Sequence, residues 1–183
     1  MALAFDDIAR IFDAKGALGY DGEPVTQLEH ALQSATLAEA SGASASLIAA
    51  SLLHDLGHML NDQGATPTLR GVDDVHQYAA LPFLRELFSD EVLLPIQLHV
   101  DAKRYLCAAR PEYHASLSED SKRSLLLQGG VFTDAAADRF IGQPFASDAV
   151  KLRIWDDHAK IAGAPTQPLE HFLAIARSVA RAA

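Results

Sequence analysis

The sequence carries a single cysteine, Cys107, in 183 residues. One thiol can neither close an intramolecular disulfide nor build a cysteine-rich zinc site, and this usage fits a reducing compartment. Cys107 itself reads as a buried structural thiol. Positive charge is also scarce: 15 Lys and Arg face 24 Asp and Glu, for a formal net charge of −9. Such a field repels nucleic acid and anionic membrane surfaces, so neither is an expected partner, and an anionic ligand needs a locally basic pocket. No apolar run approaches the roughly 20 residues that span a bilayer. The opening MALAFDDIAR places acids where a secretion signal needs bases. The expectation is a soluble, cytoplasmic protein, with its oligomeric state left open. Repeats, low-complexity tracts and dividing linkers are missing too, so residues 1–183 are expected to form one domain.

What the sequence has is apolar, helical periodicity. Hydrophobic residues make up 49% of the chain, enough for one sizeable core. The alanine-rich segments repeat at helical rather than alternating spacing, which predicts an all-α fold. Helices are expected over about 4–15, 26–41, 44–60, 74–88, 90–108, 118–128, 134–141, 147–162 and 168–181. Thr26 and Glu29 form a capping pair at the start of the second and Gly42 closes it, while Ser44 opens the third. Two connectors stand out. GALGYDGEPV (16–25) joins two helices with three glycines and a proline, the composition of a functional loop. NDQGATPTLRGVDD (61–74) directly follows a histidine cluster and is expected to lie over it.

That cluster is SLLHDLGHML (51–60), where His54, Asp55 and His58 interrupt an otherwise buried face marked by Leu52, Leu53, Leu56 and Leu60. Unpaired ionisable groups on such a face are costly. His30, His76 and His99 lie in similarly apolar surroundings, and Asp156 and Asp157 follow near the C-terminus. One such histidine alone is usually a core residue. Burying all of them independently would be expensive, whereas a metal centre shared between facing helices accounts for the whole set. Lys103 lies four residues after His99, so its cation projects from the same helix face. With Arg104 it could instead form a solvated basic edge. Arg153 and Asp156, three apart, could equally make a surface ion pair. Asp157 could replace Asp156 as a ligand, because neighbouring helical residues point about 100° apart; Asp156 is preferred. His114, His158 and His171 read as surface or structural residues, Glu29 as a capping carboxylate, and Trp155 and Tyr105 as packing residues.

The order of one histidine (His30), a His-Asp pair (His54, Asp55) and a distant aspartate (Asp156) resembles the HD-domain superfamily, with an HD-domain helical bundle as its fold. His76 and His99 match the variants that hold two metals. The segments YDGEPVTQLEHALQSA, LLHDLGH, VDDVHQYAA, HVDAKRYL, LSEDSKRSLLLQGG and LRIWDD extend the resemblance to the mixed-valent di-iron oxygenases of that superfamily that act on hydroxyphosphonates. The resemblance implies two iron ions, Fe(II) and Fe(III), with O2 as co-substrate. It places one iron on His30, His54, Asp55 and Asp156, and the other on Asp55, His76 and His99. It puts Tyr20 and Glu23 in a loop that covers the metals before substrate arrives, with Glu23 then facing the substrate amine. His58 would lie near the substrate hydroxyl, and Lys103, Ser121 and Arg153 around the phosphonate. The implied reaction cleaves the carbon-phosphorus bond of a 1-hydroxy-2-aminoethylphosphonate, free or N-trimethylated, to phosphate and glycine or glycine betaine. The alternative is a metal-dependent HD phosphohydrolase acting on a nucleotide or other phosphoester, against which a carboxylate entering the site, Glu23, argues by charge. A non-catalytic scaffold would have lost a ligand, and none is lost.

Overall fold

The computed structural model describes residues 3–20, 22–61 and 67–181. Helices dominate, and among these residues there is no strand, only an isolated antiparallel bridge between Gly19 and Thr26. In chain order the helices are α1 (Phe5–Lys15), α2 (Gln27–Ala40), α3 (Ala45–Leu53), α4 (Leu56–Leu60), α5 (His76–Ala79) and α6 (Leu81–Leu84). They continue with α7 (Asp90–Ala109), α8 (Pro111–Ser116), α9 (Glu119–Leu127), α10 (Asp134–Ile141), α11 (Ala146–His158) and α12 (Leu169–Ser178), and a 3-10 turn spans Pro67–Arg70. The centre is built where α7 packs on α11 and α3, α2 lies along α3, and α12 closes on α3. Fully buried Ala35, Ala38, Ala49, Ala50 and Ala149 keep these helices close, while Phe12, Leu52, Leu53, Phe88, Ile96, Leu152 and Phe172 fill the core. No helix among the described residues is long and apolar enough to cross a membrane.

Local chemistry explains most boundaries. The Thr26 hydroxyl accepts from Glu29 N at 3.2 Å and Glu29 Oε2 accepts from Thr26 N at 2.8 Å, a reciprocal cap that starts α2. Gly42, at φ +74°, reverses the chain after it. Ser44 caps α3 through Leu47 N.

Three expected helices differ. The run 44–60 is broken: α3 stops at Leu53 and α4 starts at Leu56, with Asp55 at φ −104°, ψ 11° between them. In a continuous helix His54 and Asp55 would point about 100° apart, and the break lets both face inward. The run 74–88 is two short turns. Asp73 and Asp74 side chains accept from the Val75 and His76 N–H groups, Val75 is left-handed at φ 48°, and Pro82 opens α6; such side-chain bonds compete with helix formation. The run 147–162 ends at His158, because the Ala159 carbonyl turns to accept from His30 Nδ1. Helix α8 was not expected, although Pro111 at its first position is a helix-start signal. Residues 62–66 of the expected covering stretch lie outside the described residues; Pro67, Thr68, Asp73 and Asp74 do line the cavity over the histidines.

Gly57 shows how tightly α4 and α5 meet. A Cβ there would stand 2.0 Å from the His76 carbonyl oxygen and 2.9 Å from its Cα. Backbone cannot yield as a side chain does, so Gly57→Ala should destabilise the fold by about 1–3 kcal/mol or more in denaturant unfolding. It should also displace His76. An unchanged unfolding midpoint would show that the two turns separate freely.

Candidate functional site

Five helices and the break between α3 and α4 deliver the ionisable side chains to one place. His30 comes from α2, His54 from the end of α3, Asp55 from the break, His76 from the start of α5, His99 from the middle of α7 and Asp156 from α11, and all six are buried. They form two groups, His30–His54–Asp156 and Asp55–His76–His99, within each of which the potential ligand atoms lie within 4.8 Å of one another. Asp55 stands between the groups. Its Oδ2 lies 3.4 Å from both His30 Nε2 and His54 Nε2, and its Oδ1 lies 3.4 Å from His76 Nε2 and 3.6 Å from His99 Nε2.

The other ring nitrogens fix the tautomers. His30 Nδ1 faces Ala159 O at 2.9 Å, His54 Nδ1 faces Ser51 O at 2.9 Å, His99 Nδ1 faces Ile96 O at 2.7 Å, and His76 Nδ1 faces Asp74 Oδ1 at 2.8 Å. Carbonyls and carboxylates only accept, so each Nδ1 carries the proton and each Nε2 of a neutral ring presents a lone pair. Burial lowers the pKa of His54, and burial with the neighbouring imidazoles lowers that of His99 well below the usual range, which favours the neutral rings. Nε2 nevertheless faces Nε2 at 3.2 Å between His30 and His54, and at 3.0 Å between His76 and His99. Lone pair against lone pair is repulsive, and a shared cation relieves it. Asp55 Oδ1 and Asp156 Oδ1, both buried, have no hydrogen-bond partner among the described residues. Burial raises the Asp55 carboxyl, but the surrounding histidines, His54 and His58 first and then His30 and His76, outweigh it and hold it ionised, well below its ordinary pKa. Inward lone pairs, two carboxylate oxygens without partners and fixed second nitrogens together fit what bound metal ions would require.

A loop and an outer layer surround this centre. The Gly19–Thr26 bridge closes residues 16–25 so that the Tyr20 hydroxyl donates to Asp55 Oδ2 at 2.8 Å and its ring stacks on His30 at 3.9 Å. Burial, Asp55 and Asp156 raise the Tyr20 pKa well above its usual value, so the phenol stays protonated. Glu23, on the same loop, reaches Lys160, with Oε1 3.6 Å from Nζ. His58 stacks on His76 at 4.0 Å, and its Nδ1 lies 2.5 Å from Asp74 Oδ2.

The opposite wall is cationic. Lys103 is only 2% exposed, and its ammonium donates to Ser124 Oγ at 2.7 Å. Arg104 turns elsewhere, to Asp101 and the Gly129 and Gly130 carbonyls, so the two bases do not form one solvated edge. Arg153 and Asp156 are not a surface pair either: Nη1 meets Asp156 Oδ2 at 2.8 Å, both side chains being buried. Asp157 is turned away from the histidines and pairs with Arg153 and Tyr113. Ser121, also buried, lies 3.4 Å from Lys160 Nζ through its hydroxyl. Tyr20, Glu23, His58, Lys103, Ser121 and Arg153 all line the same cavity as Asp55, His76, His99 and Asp156.

His114 and His158 are exposed, and His171 pairs with Glu39 at the surface. Trp155 packs against the core, Tyr105 on Phe140, and Cys107 is buried near Leu117 and Leu125. Two residues escaped the sequence reading. Asp74, which anchors both His58 and His76, lies where the 61–74 connector meets the helix expected from 74 and was not singled out. Lys160 follows Asp156 by four residues, the same spacing that singled out Lys103 after His99.

No protein-family model matches the chain. The chain is 46% identical over 154 residues, covering 84% of its length and 76% of the relative's, to the hydroxymethylphosphonate dioxygenase of Gimesia maris. To the 1-hydroxy-2-(trimethylamino)ethylphosphonate dioxygenase (glycine-betaine-forming) of Leisingera caerulea it is 39% identical over 165 residues, or 90% and 84% of the two chains. An uncharacterized protein of Acanthamoeba polyphaga mimivirus shares 34% over 167 residues. With identity of this level running through most of each protein, the chain belongs to the family of these phosphonate dioxygenases and is an oxygenase.

Proposed function

We propose that this oxygenase, working as a single domain, cleaves the carbon-phosphorus bond of a 1-hydroxyalkylphosphonate with O2 at two iron ions. The products are phosphate and a carboxylic acid, which is glycine or glycine betaine where the substrate carries the corresponding amine. The observation that carries this reading is the placement of Asp55, one carboxylate oxygen toward each histidine pair. His30, His54 and Asp156 would hold one iron, His76 and His99 the other, and Asp55 would join them. When bound, the irons supply the redox chemistry that activates O2 and oxidises the hydroxylated carbon. The substrates named for the two dioxygenase relatives both have a carbon bearing hydroxyl and phosphonate.

The chain's own residues then position and shield the substrate. Lys103 and Ser121 face the phosphonate, and Arg153, whose fork has five N–H groups, keeps donors beyond those given to Asp156, Asp157 and Tyr113. His58, oriented through Nδ1 by Asp74, can take the substrate hydroxyl proton at Nε2. Tyr20 and Glu23 cover the centre and exclude water until substrate displaces them.

The direct test is metal analysis of protein purified without oxygen, then phosphate release from hydroxymethylphosphonate and 2-amino-1-hydroxyethylphosphonate with and without O2. Two irons per chain and O2-dependent phosphate release are expected. One metal per chain, with O2-independent release from phosphoesters, would restore the phosphohydrolase.

Asp74 gives a narrower test. Its loss removes the acceptor that orients His76 without removing a ligand, so Asp74→Ala should weaken one iron by about 10- to 100-fold. The other iron, held through Ser51, Ala159 and Arg153, should stay. Titration of iron into the metal-free variant should show two separated affinities; loss of both together would mean that Asp74 supports the whole fold.

A further inference from the structure

Lys160 is fixed by its neighbours rather than by the cavity it points into. On one side the Ala159 carbonyl accepts from His30 Nδ1; on the other Ile161 N donates to Gln33 Oε1 at 3.1 Å while Gln33 Nε2 donates to Ile161 O at 2.8 Å. Both clamps belong to α2, the helix that carries His30. The backbone at Lys160 is therefore tied to the metal-side scaffold. Its ammonium reaches back over the Tyr20 ring, 5.9 Å from the centroid, to Ser121 Oγ at 3.4 Å and Glu23 Oε1 at 3.6 Å.

Glu23 is the carboxylate that would meet a substrate amine, and it already faces an internal ammonium. Resting on the hydroxyphosphonate reading above, we propose that Lys160 is a specificity-determining residue, which makes the subsite at Glu23 electrically neutral and favours hydroxyphosphonates without a cationic amine. A substrate ammonium entering there gains a carboxylate whose charge is already shared, and gains a like charge from an amine whose backbone cannot retreat. Hydroxymethylphosphonate carries no ammonium, so it meets no like charge from Lys160 at that end. The pair is loose at 3.6 Å, which leaves aminated substrates weaker rather than excluded.

The test uses iron-loaded protein held without O2, so that binding is read without turnover. Calorimetry gives the Kd of hydroxymethylphosphonate and of 2-amino-1-hydroxyethylphosphonate for wild type, Lys160→Met and Lys160→Arg at equal iron content. Wild type should bind hydroxymethylphosphonate at least about tenfold more tightly, and Lys160→Met should shift the ratio toward the aminated compound by about tenfold or more. Lys160→Arg, which keeps the charge, should keep the wild-type ratio. A wild-type preference for the aminated compound, or a Lys160→Met variant that weakens both equally, overturns the role of Lys160 and leaves the phosphonate reading standing. Wild type that binds neither compound overturns that reading and this inference with it. The wild-type ratio needs no variant, so the proposal stays falsifiable even if Lys160→Met misfolds.

Discussion

Asp55→Asn is expected to leave the protein folded, with neither iron retained in stoichiometric amount and no measurable phosphate release. Among the described residues the carboxylate is the one group that addresses both histidine pairs, and its two oxygens stand at nearly equal distances from four Nε2 atoms. Asparagine has nearly the same shape, but it loses the negative charge and turns one oxygen into an N–H2 group. That group would donate to the lone pairs of whichever pair it faces, satisfying the ligand atoms that a metal needs. The other pair keeps a neutral carbonyl in place of a shared anion. Metal affinity should fall by more than the 10- to 100-fold typical of a merely supporting residue. Neutralising a carboxylate that the histidines hold ionised costs the metal-free fold part of that stabilisation, but the same packing remains and the histidines gain a donor, so the variant should stay folded. Iron content by elemental analysis, with helicity by circular dichroism, separates metal loss from unfolding. Two irons per chain in the variant would rule out a shared carboxylate.

The same residues show what could be read from sequence alone. His30, His54, His76, His99 and Asp156 stood out because imidazole and carboxylate rarely occur on apolar helix faces, and the fold does bring them together. The caps of α2 and α3 were legible because Thr26, Glu29, Gly42 and Ser44 act within a few residues of themselves. The break at Asp55 was not. Leu52, Leu53, Leu56 and Leu60 keep helical spacing across it, and only the need for two adjacent side chains to face one centre interrupts the helix. The choice between Asp156 and Asp157 also depends on tertiary packing: Arg153 lies between them, with Tyr113 of α8 holding Asp157 on the far side. Asp74 and Lys160 were hidden because their partners, His58 and Glu23, come from other segments.

Lys103→Met should raise the KM for a hydroxyphosphonate and, in the same protein, raise stability. Lys103 is buried beneath Ser124 with no carboxylate of the described residues in hydrogen-bond contact, and burial, Arg153 and Lys160 lower its pKa from 10.5 to about 7 against the opposing pull of Asp156 and Asp157. The fold thus disfavours the charged form. Between the ordinary value and about 7, stability falls as pH falls, because the unfolded chain binds the proton that the folded site resists. Methionine fills similar space without that conflict, and Ser124 Oγ still donates to the Ser121 carbonyl at 3.1 Å. The variant should therefore be more stable by about 1–4 kcal/mol near pH 6, with the gain vanishing at alkaline pH. A phosphonate reverses the account, since a dianion beside Lys103 and Arg153 relieves the repulsion between them. Losing that charge-assisted bond should weaken substrate binding by about 1.5–3 kcal/mol, a 10- to 150-fold rise in apparent KM. Iron content should not change, because Lys103 orients none of the histidines. Thermal unfolding at two pH values and phosphate release at matched iron loading read the two effects separately. A variant with wild-type KM, or one destabilised at pH 6, would mean that Lys103 is a packing residue and not the phosphonate's cation.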